Sequence, residues 1–446
     1  MKRRQFLAAG GAGSVAALLA ACGGGGDAGP GSEIERAVAL AERSSGARTA
    51  PIVQNAATVG RVIVIGGGMA GTTVAKYLRL WSNGTIAVTL VEREARYTSH
   101  IMSSLVLTGQ RTLGSLQFAY DTLRTRWGVT VVTGEVSAID PVAARVFLAN
   151  GTQLQADRVV LAPGIAFDAV PGLTDPSLMP HAWQAGPQTT LLAQQLTAMP
   201  AGGVVVLAIP KVPYRCPPGP YERSCLIADW LKARKPGSKL IVLDANADIV
   251  IEKDNFLRAY TTLYPNIVEY RANSEVLSVD SATKTLNTAL GPVRGDVVNL
   301  IPRQRAPALV AATGLANSAD GRFAVVDVLS YASTAAPLVH VLGDSSSTTQ
   351  PKAGHVANQE AKVCADALVR IFGGGAPDPA PVTNSACYST ITMSQASWLA
   401  AGYQYDPAAR AMAVVPAAFG ASSGWSSGNF TEMGTWFNAL MADTFA

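Results

Sequence analysis

The chain has 446 residues, 48% of them hydrophobic and 15% charged, with a formal net charge of +4. That length allows two or three domains with ample core, and the composition excludes a disordered or collagen-like chain. Lys2, Arg3 and Arg4 supply three of the positive charges and belong to a predicted leader, so the rest carries about +1 and no basic stripe for nucleic acid.

Arg3-Arg4-Gln5-Phe6-Leu7 has the form of a twin-arginine export signal, and Ala8 to Ala21 is a short apolar run. The run is too short to span a bilayer as a mature helix. Leu19-Ala20-Ala21-Cys22 resembles a bacterial lipobox, which makes Cys22 the candidate lipidation site. Cleavage at an Ala-x-Ala site is the alternative. Residues 1–21 are read as the signal peptide and 22–59 as a lipoprotein-type linker, loosened by Gly23 to Gly26. The expected location is periplasmic, with a possible lipid anchor. The twin-arginine route carries folded proteins and suits an enzyme that takes up its cofactor first. Beyond Cys22, the cysteines are Cys216, Cys225, Cys364 and Cys387. An oxidising compartment lets a disulfide persist, and the sequence does not choose among the pairings.

Arg61 to Ile65 is a β-branched run and predicts a buried strand. Gly66-Gly67-Gly68-Met69-Ala70-Gly71 follows, then helical spacing over Thr72 to Trp81 and a second strand, Ile86 to Val91, ending at Glu92. This is a βαβ unit of about 30 residues with a dinucleotide fingerprint. Gly66 makes the tight turn, Gly68 admits a pyrophosphate, and Gly71 lets the helix pack on the strand. Met69 and Ala70 open the helix at the phosphates. Glu92 is placed for a ribose hydroxyl, with Arg93 beside it. Arg158 to Gly164 is a short strand entering the turn Ala162-Pro163-Gly164. Val339 to Leu342 is another buried strand, ending in Gly343-Asp344.

Between these segments lies a second βαβ unit. Its strand Val204 to Ile209 is followed by Pro213-Tyr-Arg-Cys-Pro-Pro-Gly-Pro-Tyr-Glu-Arg223, a helix over Tyr221 to Ala233, and the strand Lys239 to Leu243 ending at Asp244. The turn carries Cys216 and Glu222 where glycines would cradle a phosphate. Without that cradle, Asp244 reads as an ordinary strand end. Lys352 to Phe372 is a long helix, and Gly373 to Pro381 a Gly/Pro-rich linker before the aromatic-rich stretch from Asn384 to Ala446.

From about Gly60 onward, the chain resembles the flavoprotein subunit of flavocytochrome c sulfide dehydrogenase. The resemblance is carried by Arg61 to Gly68, Pro180-His-Ala-Trp183, Pro213 to Arg223, Asn299-Leu-Ile-Pro302, Gly343-Asp344, Asn384-x-x-Cys-Tyr-Ser389 and Asp443-Thr-Phe445. It implies an α/β fold with two Rossmann-like three-layer βαβ domains of the glutathione-reductase type and a smaller α+β C-terminal domain. The expected divisions are an FAD-binding domain split over 60–182 and 296–376, a second Rossmann-like domain over 183–295 carrying the redox cysteine, and a flavin-binding and interface domain over 377–446. The implied cofactor is FAD. Asp344 is expected at its ribityl chain. The helix after Lys352 and Gly354 is expected to aim its N-terminus at the flavin's pyrimidine edge.

The same resemblance implies that Cys216 and Cys387 form a redox-active disulfide over one face of the flavin. Hydrosulfide would attack one sulfur and release the other as thiolate. Glu222, in the first turn of its helix, would handle the proton, though a carboxylate is also favoured there by the helix dipole. Arg215 and Arg223 are read either as raising the potential for an anionic substrate or as exposed solubilising charges. Cys225 and Cys364 read as buried small hydrophobes. The four histidines show no ligand spacing, so no metal is expected.

One position departs from the family. Its best-known members attach FAD through a Cys in a Tyr-Thr-Cys segment; here the segment is Tyr97-Thr98-Ser99. A serine cannot form that thioether, so non-covalent FAD is expected. No Cys-x-x-Cys-His is present, so electrons are expected to leave to a separate c-type cytochrome subunit. One alternative is a sulfide:quinone oxidoreductase, a reading that wants a C-terminal amphipathic membrane helix; the last stretch shows Gly, Ser and scattered Trp instead. Another is an accessory flavoprotein acting on a sulfur-carrier partner. A pyridine-nucleotide reductase is a third, disfavoured by the missing second glycine fingerprint.

Overall fold

A computed structural model describes residues 57–446. The leader, Cys22 and the linker up to residue 56 lie outside the described residues.

The chain opens with strand β1 (Gly60–Ile65), helix α1 (Met69–Trp81) and strand β2 (Ile86–Glu92). Strands β3 (Thr130–Thr133) and β4 (Arg158–Leu161) follow, with a three-stranded meander over 136–155 between them. A second unit then runs through β5 (Val204–Ile209), α2 (Gly219–Arg234), β6 (Lys239–Asp244), α3 (Lys253–Arg258), β7 (Val268–Arg271) and β8 (Val297–Leu300). The chain returns through β9 (Ala324–Asp327), β10 (Ala332–Ser333), β11 (Val339–Val341), β12 (Ser346–Ser347) and α4 (Gly354–Phe372). It finishes with β13 (Val382–Thr392), β14 (Gln395–Asp406), β15 (Ala411–Ala421) and α5 (Ser427–Phe445).

The first and third of these groups build an eight-stranded sheet, ordered β12-β9-β10-β11-β4-β1-β2-β3. Its centre is parallel: β1 pairs with β2 and with β4, and β4 with β11. Such strands are covered on both faces, which is why they read as continuous Val/Ile/Leu runs. Residues Val62, Val64, Val159 to Leu161, Val339 and Val341 are almost wholly buried. Helices α1 and α4 pack against each other on this sheet.

The second sheet is parallel, ordered β7-β6-β5-β8. Its edge strand corrects the sequence division at 295/296. Val297 to Leu300 pair with Val205 to Ala208, so this strand completes the second sheet rather than reopening the first. The Val-Val-Asn-Leu run is buried throughout because that sheet covers it.

The C-terminal region is an antiparallel sheet, β13-β14-β15, crossed by α5. The last stretch is thus strongly helical where its Gly, Ser and Trp content suggested otherwise. Ser426 caps the helix, accepting from the Asn429 amide at 3.1 Å. Met433, Trp436, Phe437, Leu440, Met441 and Phe445 turn inward against the core. Burial of that stripe overrides weak local propensity. Among the described residues, no helix is long and apolar enough to cross a membrane.

Candidate active site

The glycine turn after β1 is built as its spacing requires. Gly66 has φ +102°, and a Cβ there would stand 2.3 Å from the Ala162 carbonyl oxygen. A Cβ on Gly71 would stand 1.8 Å from the Gly66 carbonyl oxygen. Gly68 is the extended N-cap of α1 and supplies no side-chain cap, so the helix's first N–H groups remain available.

A cleft opens at this turn. Gly68, Met69, Ala70, Ala162, Gly164, Gly343, Asp344 and Gly354 line it, each placed there by the end of a strand or the start of a helix. Cys216, Glu222 and Cys387 line the same cleft from the second sheet unit and the C-terminal sheet. The residues fit a bound flavin dinucleotide. The first turn of α1 is uncapped for phosphate, Gly68 leaves the wall open, and Trp436 offers a buried indole N–H with no partner.

Several expected contacts do not line the cleft. Arg93 is exposed, 3.8 Å from Glu94. Glu92 lies behind the turn, accepting from the Gly67 amide at 2.5 Å and the Glu94 amide at 3.0 Å. Pro163 stands behind Gly66. Ser99 is wholly buried with its hydroxyl directed to the Ile101 carbonyl at 3.4 Å. Lys352 turns back instead of facing the cleft: its ammonium donates to the carbonyls of Asp344 and Ser346 at 2.9 and 2.6 Å and sits 3.7 Å from the centre of the Phe323 ring. Burial lowers its pKa to about 8 despite the nearby Asp344 charge.

Cys216 occupies the left-handed region, φ +59°. Its amide donates to the Lys352 carbonyl at 2.7 Å and its carbonyl accepts from the Gly219 amide at 2.9 Å. A Cβ on Gly219 would stand 2.8 Å from the Cys216 sulfur, so the glycine makes room for the thiol at the start of α2. Burial raises the Cys216 pKa to about 12; the Glu222 charge adds to this and Arg215 opposes it. Cys387 is raised well above the usual thiol range, chiefly by burial, then by Cys216, Glu252 and Glu222. Both cysteines are free thiols here, so they share one cleft without the expected bond.

Glu222 accepts from Thr390 Oγ1 at 2.8 Å. Burial pushes its pKa up to about 7, against the pull of that hydrogen bond. Arg215 and Arg223 are buried rather than exposed. The Arg215 guanidinium is held by the Trp183 carbonyl and lies 3.8 Å from the Asp344 carboxylate. Arg223 donates to the carbonyls of His181 and Ala182, to Asn299 and to Ser104, and stacks 4.6 Å from the centre of the Trp183 ring. It pins α2 in place.

Sequence reading missed His100, Trp183, His355, Met433, Trp436 and Tyr97 as cleft residues. His100, His181 and His355 each accept a backbone amide at Nδ1. Burial lowers all three, to about 4 for His181 and His355, so they are neutral at pH 7 with the proton on Nε2. The i, i+3 spacing of Met433 and Trp436 was the available signal for the helix they share. Cys225 and Cys364 are wholly buried. Asp244 accepts from the hydroxyls of Tyr221 and Tyr270 at 2.7 and 2.8 Å, which closes the end of β6. Among the described residues, no group of three or more His, Cys, Asp or Glu side chains is arranged to hold a metal.

This combination of sheets and cleft defines a flavoprotein of the pyridine nucleotide-disulfide oxidoreductase type, and the model of that family matches residues 60–197. Two further family models match: the central domain of the sulfide dehydrogenase [flavocytochrome c] flavoprotein chain over residues 189–302, and the flavocytochrome c sulphide dehydrogenase flavin-binding domain over residues 379–445. The chain belongs to the flavoprotein family of flavocytochrome c sulfide dehydrogenase. It is an FAD-dependent oxidoreductase acting on sulfide. Its fold is similar to that of the sulfide:quinone oxidoreductase from the hyperthermophilic bacterium Aquifex aeolicus, at 18% identity and TM-score 0.70, covering 86% of this chain and 91% of that one. It is also similar to an NAD-dependent persulfide reductase from A. fulgidus, at 16% identity and TM-score 0.58, covering 86% and 76%.

Proposed function

We propose that Cys216 and Cys387 are the sulfur-accepting pair of a sulfide dehydrogenase, that Glu222 takes the substrate proton, and that electrons pass to a c-type cytochrome subunit. The observation that carries this is the meeting of the two cysteines and one carboxyl of raised pKa in a single cleft, although they come from separate sheets. In the oxidised pair, hydrosulfide attacks one sulfur. A new S–S bond forms to the substrate, the Cys–Cys bond breaks, and the second cysteine leaves as a thiolate. The S–H proton moves to the Glu222 carboxylate, which Thr390 holds in place. Bound FAD would supply the two-electron acceptor that can pass electrons on one at a time.

The uncapped first turn of α1 and the backbone of Gly68 would hold the pyrophosphate, and Asp344 and Trp436 would contact the flavin end. FAD is held without a covalent bond, since Ser99 has no thiol. Export by the twin-arginine route to the periplasm, and a lipid on Cys22 that brings the enzyme near the membrane, complete the proposal. The test is Cys387→Ser. The variant should retain FAD but lose sulfide-dependent flavin reduction and cytochrome c reduction by roughly a thousandfold or more. Undiminished reduction would remove the cysteine pair from the reaction.

A further inference from the structure

Glu252, a second enclosed carboxyl, stands beside the cysteine pair. It caps α3 from a left-handed backbone, φ 51° and ψ 32°. That conformation is costly for a non-glycine residue and persists where its surroundings enforce it. Ser389 Oγ donates to Glu252 Oε2 and Ser397 Oγ to Glu252 Oε1, each at 2.7 Å. The two serines face each other across β13 and β14 and are wholly buried, while Glu252 keeps part of its surface in solvent. Ser389 is two residues from Cys387 and shares its face of the strand.

No cation is paired with Glu252 among the described residues; two neutral hydroxyls are its partners. A purely structural buried carboxylate is normally held by a cation or several N–H groups. Hydroxyls can instead pass a proton, accepting one and donating another. Glu222 is held in the same manner by Thr390, the next residue along the strand. The two carboxyls therefore approach one strand from opposite faces, with Cys387 near both. The titratable groups close enough to feel the Glu252 charge are Glu222 and Cys225 from α2 and Cys387 from β13; Lys253, on its own helix, is turned to Asp248 at 2.5 Å.

We propose that Glu252 is the outer proton carrier of the site, moving to solvent the proton that Glu222 accepts. This rests on the sulfide-oxidising reading above. Each attack forms one substrate–cysteine S–S bond, breaks the Cys216–Cys387 bond, releases the other cysteine as a thiolate and frees one S–H proton; the cycle closes when the substrate sulfur leaves as zero-valent sulfur, the Cys216–Cys387 bond re-forms and two electrons would pass to bound FAD. Glu222 holds a single proton and must lose it before the next attack. Glu252, at the boundary of core and solvent, supplies the exit.

The test uses the FAD-loaded full chain, mixed anaerobically with sodium sulfide in the presence of a pH-indicator dye. In the parent, proton release should follow flavin bleaching directly. In Glu252→Gln, proton release should lag behind bleaching, and steady turnover should fall roughly tenfold more than the first turnover. Glu252→Asp should recover part of both. A second measurement needs neither FAD nor sulfide. In Cys216→Ser, the pH midpoint of Cys387 alkylation should fall by roughly one unit when Glu252→Gln is added. If Glu252→Gln folds poorly, Ser397→Ala keeps the carboxyl and should still produce the lag. Proton release that stays in step with bleaching in every variant overturns the proposal. A parent protein that sulfide does not bleach is a different failure: it removes the sulfide reading, and the proton path with it.

Discussion

The amide of Cys216 donates to the carbonyl of Lys352 at 2.7 Å. This bond ties the Cys216 turn of the second sheet unit to the segment that leads into α4 of the first. The thiol is thereby positioned by the packing of two sheet units rather than by its own turn alone. Arg215, next along the chain, repeats the link from its side chain, reaching toward Asp344 at 3.8 Å.

The two glycines of the first turn should respond differently to an added methyl. At Gly71 a Cβ would collide with the Gly66 carbonyl oxygen at 1.8 Å, so Gly71→Ala must displace α1 from β1. The expected loss of stability is roughly 1–3 kcal/mol. At Gly68 a Cβ would come no closer than 3.7 Å, to Tyr97. Gly68→Ala should therefore melt like the parent without FAD, yet retain less FAD after desalting. Thermal melts of the apoproteins and flavin content separate the two; equal melting of both variants would refute the assignment.

These glycines were legible in the sequence because their demands are local: a turn, a close approach and a helix start within a few residues. Cys387 was legible only through resemblance, since nothing near it in the chain encodes its approach to Cys216. Arg223 reads equally as a charge raising the local potential or as an exposed one, because helix periodicity does not reveal that its guanidinium stacks on Trp183. Lys352 was correctly placed along the chain, but its side-chain direction is set by the Asp344 and Ser346 carbonyls, which only the fold brings near. Glu252 carried no motif at all; two serines on neighbouring strands define it.

Arg223→Lys tests the buried hub. An ammonium cannot reproduce a planar fork that meets the His181 and Ala182 carbonyls and Asn299 together. Acceptors left without partners should cost roughly 1–3 kcal/mol in urea unfolding. A variant as stable as the parent would show that these bonds do not hold the helix.

Flavin attachment has a simple readout. Acid precipitation of the purified protein should leave the yellow colour in the supernatant, because position 99 offers a hydroxyl rather than a thiol. Flavin remaining with the pellet would contradict non-covalent binding.

Glu222 should set a pH dependence in both activity and stability. Its folded pKa is raised to about 7 by burial, from an ordinary value of 4.5. As a proton acceptor it must be ionised, so sulfide-dependent flavin reduction should rise with pH through about 7, and Glu222→Gln should remove that limb while slowing the reaction roughly a hundredfold. Stability runs the other way. Below pH 4.5 the carboxyl is protonated in both states and costs nothing. Between 4.5 and about 7 the unfolded chain releases its proton and the folded chain keeps it, so stability is lost with rising pH, by on the order of 3 kcal/mol at most. Glu222→Gln removes this titration. Its stability relative to the parent should therefore improve from pH 4 to pH 8 in denaturant unfolding. A difference that stays constant over that range would place the Glu222 carboxyl in solvent-like surroundings and take away its role as the proton acceptor.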